Sequence, residues 1–155
     1  MRRSSVAFLL SAIILAAAAA QVPSGGARFE IARDDVLIDE VIPIVVSGLA
    51  PGAVTTVHAS AGVGETHVAS SATFVADRDG RVDLTQMSPK NGSYSGVDPM
   101  GLFWSYRRTA ATATDTIDDG DGESATPDRW TLTAEVNKTV VAHASLLRRT
   151  VAAER

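Results

Sequence analysis

The chain has no cysteine. This rules out disulfide staples, a thiol nucleophile and the lipid-anchored start of a lipoprotein. Aromatic side chains are scarce, at 5% of residues. No stretch carries an apolar repeat of 3.6 residues, so amphipathic helices are not expected to build the core. There is no basic run, and the formal charge is −4, which fits neither a nucleic-acid partner nor an anionic membrane surface. The serine-nucleophile signature G-x-S-x-G is also missing. "GSYSG" at Gly92–Gly96 comes near, but its central residue is Tyr94, with Ser93 and Ser95 to either side. The EF-hand spacing fails as well. "DTIDDGDGE", Asp115–Glu123, is rich in oxygen ligands but lacks the required positions, so a solvated acidic loop is expected rather than a calcium site.

What is present begins with an export pattern. Arg2 and Arg3 precede an uncharged run from Val6 to Ala20, and Ala18-Ala19-Ala20 offers a small-x-small cleavage site before Gln21. This reads as a signal peptide over 1–20. The run is shorter than the ~20 apolar residues needed to cross a bilayer. Cleavage would remove two arginines and leave a more acidic chain with no membrane segment. Residues 21–27, with Pro23, Ser24, Gly25 and Gly26, read as a linker. Residues 28–155 are long enough for one domain, which buries roughly two-thirds of its unfolded surface without staples.

Every periodic segment has period two. Ile42, Ile44 and Val46 alternate with Val41, Pro43 and Val45; the proline favours an edge strand. Thr55, Val57 and Ala59 form one face of the next strand, with His58 on the other. Val68, Ser70, Ala72, Phe74 and Ala76 share a parity, followed by a hairpin-type Asp79-Gly80. Trp130, Leu132, Ala134 and Val136 alternate with polar residues. Asn137-Lys138 turns the chain, and Val140, Ala142, Ala144 and Leu146 return. Short strands with turn signals between them predict an all-β, immunoglobulin-like antiparallel β-sandwich. Residues 108–128 are polar and predict a mobile loop. His58, His67 and His143 lie opposite the apolar parities and are expected to face away from the core.

One segment stands out. "NGSYSGVDPMGLFWSY", Asn91–Tyr106, holds four of the eight aromatic side chains beside three glycines. From Met100 to Tyr106 both parities are apolar, which predicts a strand covered on both faces. One cover is the sandwich core. The other is either more core or a neighbouring domain.

Three blocks carry a resemblance: "VLIDEVIPIVVSGLAPGAVTTVHAS", opening around Asp39-Glu40, then "SSATFVADRDGRVDL", then "GSYSGVDPMGLFWSY". In this order they resemble the N-terminal domain of the acyl-CoA thioester hydrolase / bile acid-CoA:amino acid N-acyltransferase family, from about Val36 to Thr150. The resemblance implies an immunoglobulin-like sandwich standing before an α/β-hydrolase domain that carries the catalytic triad. It implies no catalytic, metal or cofactor residue on this chain. Ser95, Gly96, Asp98, Pro99, Met100, Gly101, Phe103 and Trp104 are its signature and its candidate interface, with Gly96 and Gly101 expected to let another backbone approach. The function expected is a non-catalytic accessory domain partnered with an α/β-hydrolase domain in cis or in trans. A free-standing exported binding module, using the acidic loop near Asp118–Glu123, is the alternative, as is the remnant of an interrupted gene. The exported start puts an ester other than a coenzyme A thioester in view as substrate.

Overall fold

The computed structural model describes residues 26–63, 66–109 and 129–150. The export segment, most of the linker and residues 110–128, with the acidic loop, lie outside them.

Two sheets face each other. The larger is built on β4 (Val54–Val63), β5 (Thr66–Val75), β9 (Arg129–Val136) and β10 (Thr139–Arg149), in the order β10-β9-β4-β5. β4 binds β5 on one side and β9 on the other, with Val57 opposite Ala72 and Ala134. The period-two pattern explains the burial. Thr55, Val57, Ala59 and Ala61 of β4 point inward, as do Val68, Ser70, Ala72 and Phe74 of β5 and Trp130, Leu132 and Ala134 of β9. The smaller sheet runs β1 (Arg28–Ile31), β3 (Ile44–Ser47), β6 (Val82–Asp83). Ile44 and Val46 of β3 meet Phe74, Leu84, Leu102 and Leu146 in one continuous core. The fold is the all-β sandwich that the alternation predicts.

Several local expectations are corrected. β3 is central in its sheet, not an edge. Pro43 precedes the first paired residue, Ile44 opposite Ile31, so its missing N–H falls outside the ladder. The outer face of β3 is covered by charge: Glu30 accepts a hydrogen bond from Ser47 Oγ at 2.7 Å and from Arg81 Nη2 at 3.0 Å. Those bonds, the serine's first, hold the Glu30 carboxyl below its usual range against the opposing effect of burial. The turn at Asp79-Gly80 is not a hairpin within one sheet. Asp77 Oδ1 accepts the backbone N–H groups of Asp79 and Arg81, and the chain leaves β5 for β6 in the opposite layer. The sandwich is also not wholly antiparallel. β2 (Asp35–Leu37) lies parallel to the end of β10 at the sheet's edge.

The β9–β10 hairpin turns as expected. Asn137 and Lys138 take φ of 51° and 63°, the left-handed pair of a type I′ turn. A bulge between Val140 and Ala142 then breaks the alternation. Val140 sits opposite the outward Glu135 and is 56% exposed, while Ala142 sits opposite the inward Ala134. At the other margin, β7 (Asn91–Gly92) and β8 (Arg107–Thr109) both pair with β5. Arg108 and Thr109 therefore belong to a strand and not to the polar loop.

Candidate functional site

Met100–Tyr106 is not a strand. Gly101–Trp104 forms α1, a single helical turn. The reason is local. Asp98 Oδ1 accepts the N–H of Met100 at 2.9 Å, Pro99 presets the bend, and Asp98 O and Met100 O receive the N–H groups of Gly101 and Phe103 at 3.2 and 2.8 Å. A helical turn sends consecutive residues to different sides. Leu102 and Phe103 enter the core, and Trp104 stays 61% exposed. The apolar residues at both parities are thus explained without a strand covered twice.

The space beside Gly101 is taken within the domain. A Cβ on Gly101 would meet the Tyr94 ring at 2.4–2.7 Å, so this glycine makes room for a ring of its own chain. Gly96 has open space beside it, but its φ of +79° requires glycine. Ser95 and Gly96 are exposed at the tip of the loop. The neighbouring serine has a structural role: Ser93 Oγ meets Ser71 O at 3.1 Å and Ser105 Oγ at 2.7 Å. Pro99 and Met100 are half-buried, Met100 against the core.

Trp104 is held in place. Its Nε1 donates to Asp98 Oδ2 at 2.9 Å, and its ring lies 6.4 Å from that of Tyr94. Tyr94 is 7% exposed, with a buried hydroxyl that finds no hydrogen-bond partner among the described residues. Burial, aided by the nearby Asp98 charge, pushes its phenol up to about 12 from an ordinary 10. The sign follows directly. Below pH 10 both folded and unfolded chains keep the proton, and the stability is whole. Between pH 10 and 12 the unfolded chain releases it first, so stability falls by about 1.4 kcal/mol per pH unit from this group. Tyr94→Phe should flatten that part of a stability-against-pH curve measured by urea unfolding.

Beside α1 runs an open groove of about 470 Å³. Met100, Phe103, Trp104 and Tyr106 form one wall. Trp130 from β9, Arg148 from β10 and the segment Ile38–Val41 after β2 supply the rest. Phe103 meets Trp130 edge-on at 5.2 Å and 87°, and Tyr106 meets it at 5.7 Å. Arg148 is 6% exposed. Its guanidinium carbon stands 4.6 Å over the Phe103 ring, and its Nη2 donates to the Ile38 carbonyl. Burial lowers the Arg148 pKa, and the Asp39 charge opposes that shift. Three of the signature residues, Met100, Phe103 and Trp104, thus meet in one place, with Asp39 from the first block of the resemblance. Arg148 had a signal in the sequence: it occupies the inward parity of β10, where the preceding positions are Ala142, Ala144 and Leu146.

Other candidates disperse. His58, His67 and His143 lie outside the core, with His58 Nε2 3.8 Å from Glu135 Oε2. Among the described residues no group of three or more His, Cys, Asp or Glu could hold a metal ion. No helix among them is long and apolar enough to cross a membrane.

Residues 39–154 match the family described as the acyl-CoA thioester hydrolase/BAAT N-terminal region. Over 72 residues the chain is 43% identical to the bile acid-CoA:amino acid N-acyltransferase of Mus musculus and 39% identical to that of Homo sapiens. It is 36% identical to acyl-coenzyme A amino acid N-acyltransferase 1 of Mus musculus over the same length. Each match covers 46% of this chain and 17% of the relative. A match over residues 39–154 spans well over half of the chain: the chain belongs to the acyl-CoA thioester hydrolase / bile acid-CoA:amino acid N-acyltransferase family, through that family's N-terminal region.

Proposed function

We propose that this chain is a non-catalytic domain that docks on an α/β-hydrolase catalytic domain of the same family, in cis or in trans. The observation that carries the reading is Trp104. A large aromatic, 61% exposed and fixed by Asp98, lines the same groove as exposed Val41 and Tyr106. Apolar surface gathered this way fits a protein interface, and tryptophan is among the residues that dominate binding energy there. The domain's chemistry is packing: it would support and shape the entrance to an acyl-transfer site on its partner. The same reading takes Met1–Ala20 as an export signal. Outside the cytoplasm coenzyme A thioesters are not the expected substrate, and another ester or thioester takes their place.

The test has two arms. The purified chain should hydrolyse neither acyl-CoA nor p-nitrophenyl esters above buffer. Turnover abolished by a point change in this domain overturns the reading. Mixed with an α/β-hydrolase domain of the same family, the chain should bind. Trp104→Ala should weaken that binding by about 2 kcal/mol or more, with the unfolding midpoint unchanged because the side chain is exposed. Equal affinity of the variant would remove Trp104 from the interface.

A further inference from the structure

We infer that the groove beside α1 is a binding site for an elongated apolar monocarboxylate, its carboxylate at Arg148 and its chain along Phe103, Trp104 and Tyr106. The inference needs no second domain, but it uses Trp104, Tyr106 and Val41 of the proposed docking surface, so ligand and partner would compete for this face.

The argument starts from Arg148. It is 6% exposed, yet among the described residues no carboxylate lies within ion-pair distance of it. Its contacts are one carbonyl and one aromatic face, and its Nε has no hydrogen-bond partner. A cation removed from water without a contacting anion is costly, and a carboxylate is the acceptor that matches a guanidinium best. Asp39 lines the same groove and acts on Arg148 only at longer range. It is a partial counter-charge, and a ligand carboxylate competes with it.

The remainder of the groove is apolar. Val41 and Trp104 are 63% and 61% exposed, and Tyr106 is 37% exposed. An alkyl or ring-fused apolar body laid along them removes that surface from water, at roughly 25 cal/mol per Å². A short polar anion would satisfy Arg148 and leave the wall bare. A neutral lipid would cover the wall and leave Arg148 as it is. Only a molecule with both parts fits both features.

Both tryptophans of the chain, Trp104 and Trp130, line the groove, so intrinsic fluorescence reports on it directly. The chain is titrated with dodecanoate and, separately, with dodecanol, both kept below self-association. Dodecanoate should change the emission saturably and bind about tenfold tighter than dodecanol, the effect of one charge-assisted contact. Arg148→Met, which removes a poorly paired buried charge and keeps the volume, should fold and lose the preference for the acid. Asp39→Asn should tighten dodecanoate binding. No saturable change overturns the site. Equal binding of acid and alcohol by the unmodified chain overturns the role of Arg148, and this comparison needs no variant to fold. Failure of the hydrolase domain to dock leaves these titrations untouched.

Discussion

Trp130→Ala is expected to destabilise the domain by about 3–5 kcal/mol, the range for deleting a large buried aromatic. Trp130 is 2% exposed and sits on the inward row of β9, opposite Leu146 on β10 and Ala61 on β4. It is also the post against which Phe103 and Tyr106 rest. Removing it opens a cavity in the core and takes away the edge-on partner of Phe103, on whose ring Arg148 lies. These losses are coupled, which places the change at the upper end of the range. Urea unfolding followed by far-ultraviolet circular dichroism measures it, with the slope checked for constancy. A loss below about 1 kcal/mol would contradict packing of this kind.

Gly101→Ala is the second large effect. Alanine is the better helix former by about 1 kcal/mol, so propensity alone predicts a gain. The structure predicts the opposite. The new methyl group would stand 2.4 Å from Cε2, 2.5 Å from Cδ2 and 2.7 Å from Cγ of Tyr94. These atoms span the ring from its root, so a small swing of a flexible tip does not relieve the overlap. The ring must leave its site or α1 must lift. Overpacking of this sort costs about 1–3 kcal/mol, which moves the unfolding midpoint down by several degrees. Tyr94→Ala in the same chain should make the glycine replacement nearly harmless. A cycle of the two changes would then give a coupling of about 1 kcal/mol or more. Strict additivity of the two changes would refute the clash.

Much of the architecture was legible because a strand's side chains alternate strictly. Val57, Phe74, Leu132 and Leu146 could be assigned to the interior from parity alone, and all are buried. Parity fails where the chain departs from regular pairing. Val140 changes side because the bulge adds a residue that no alternation reveals. Pro43 suggested an edge because its missing donor cannot be seen to fall just outside the ladder. The site was legible in its residues and not in its shape. Asp98, Met100, Phe103 and Trp104 were identified, but four residues are too few for a 3.6-residue period to register, and an Asx-Pro bend can open a helical turn as readily as a strand. Trp130, Arg148 and Asp39 come from three distant parts of the chain. Only the pairing of β9, β10 and β2 brings them together.

The two oxygens of Asp98 have a consequence for kinetics. One holds the Met100 amide and the other the Trp104 indole, so the rotamer of the exposed ring is set before anything touches it. A partner meeting this surface need not freeze that side chain, which spares it about 0.5–1.5 kcal/mol of ordering cost. Asp98→Ala would leave the ring in place by sequence and free it to wander, so encounters would succeed less often although every contacting atom remained.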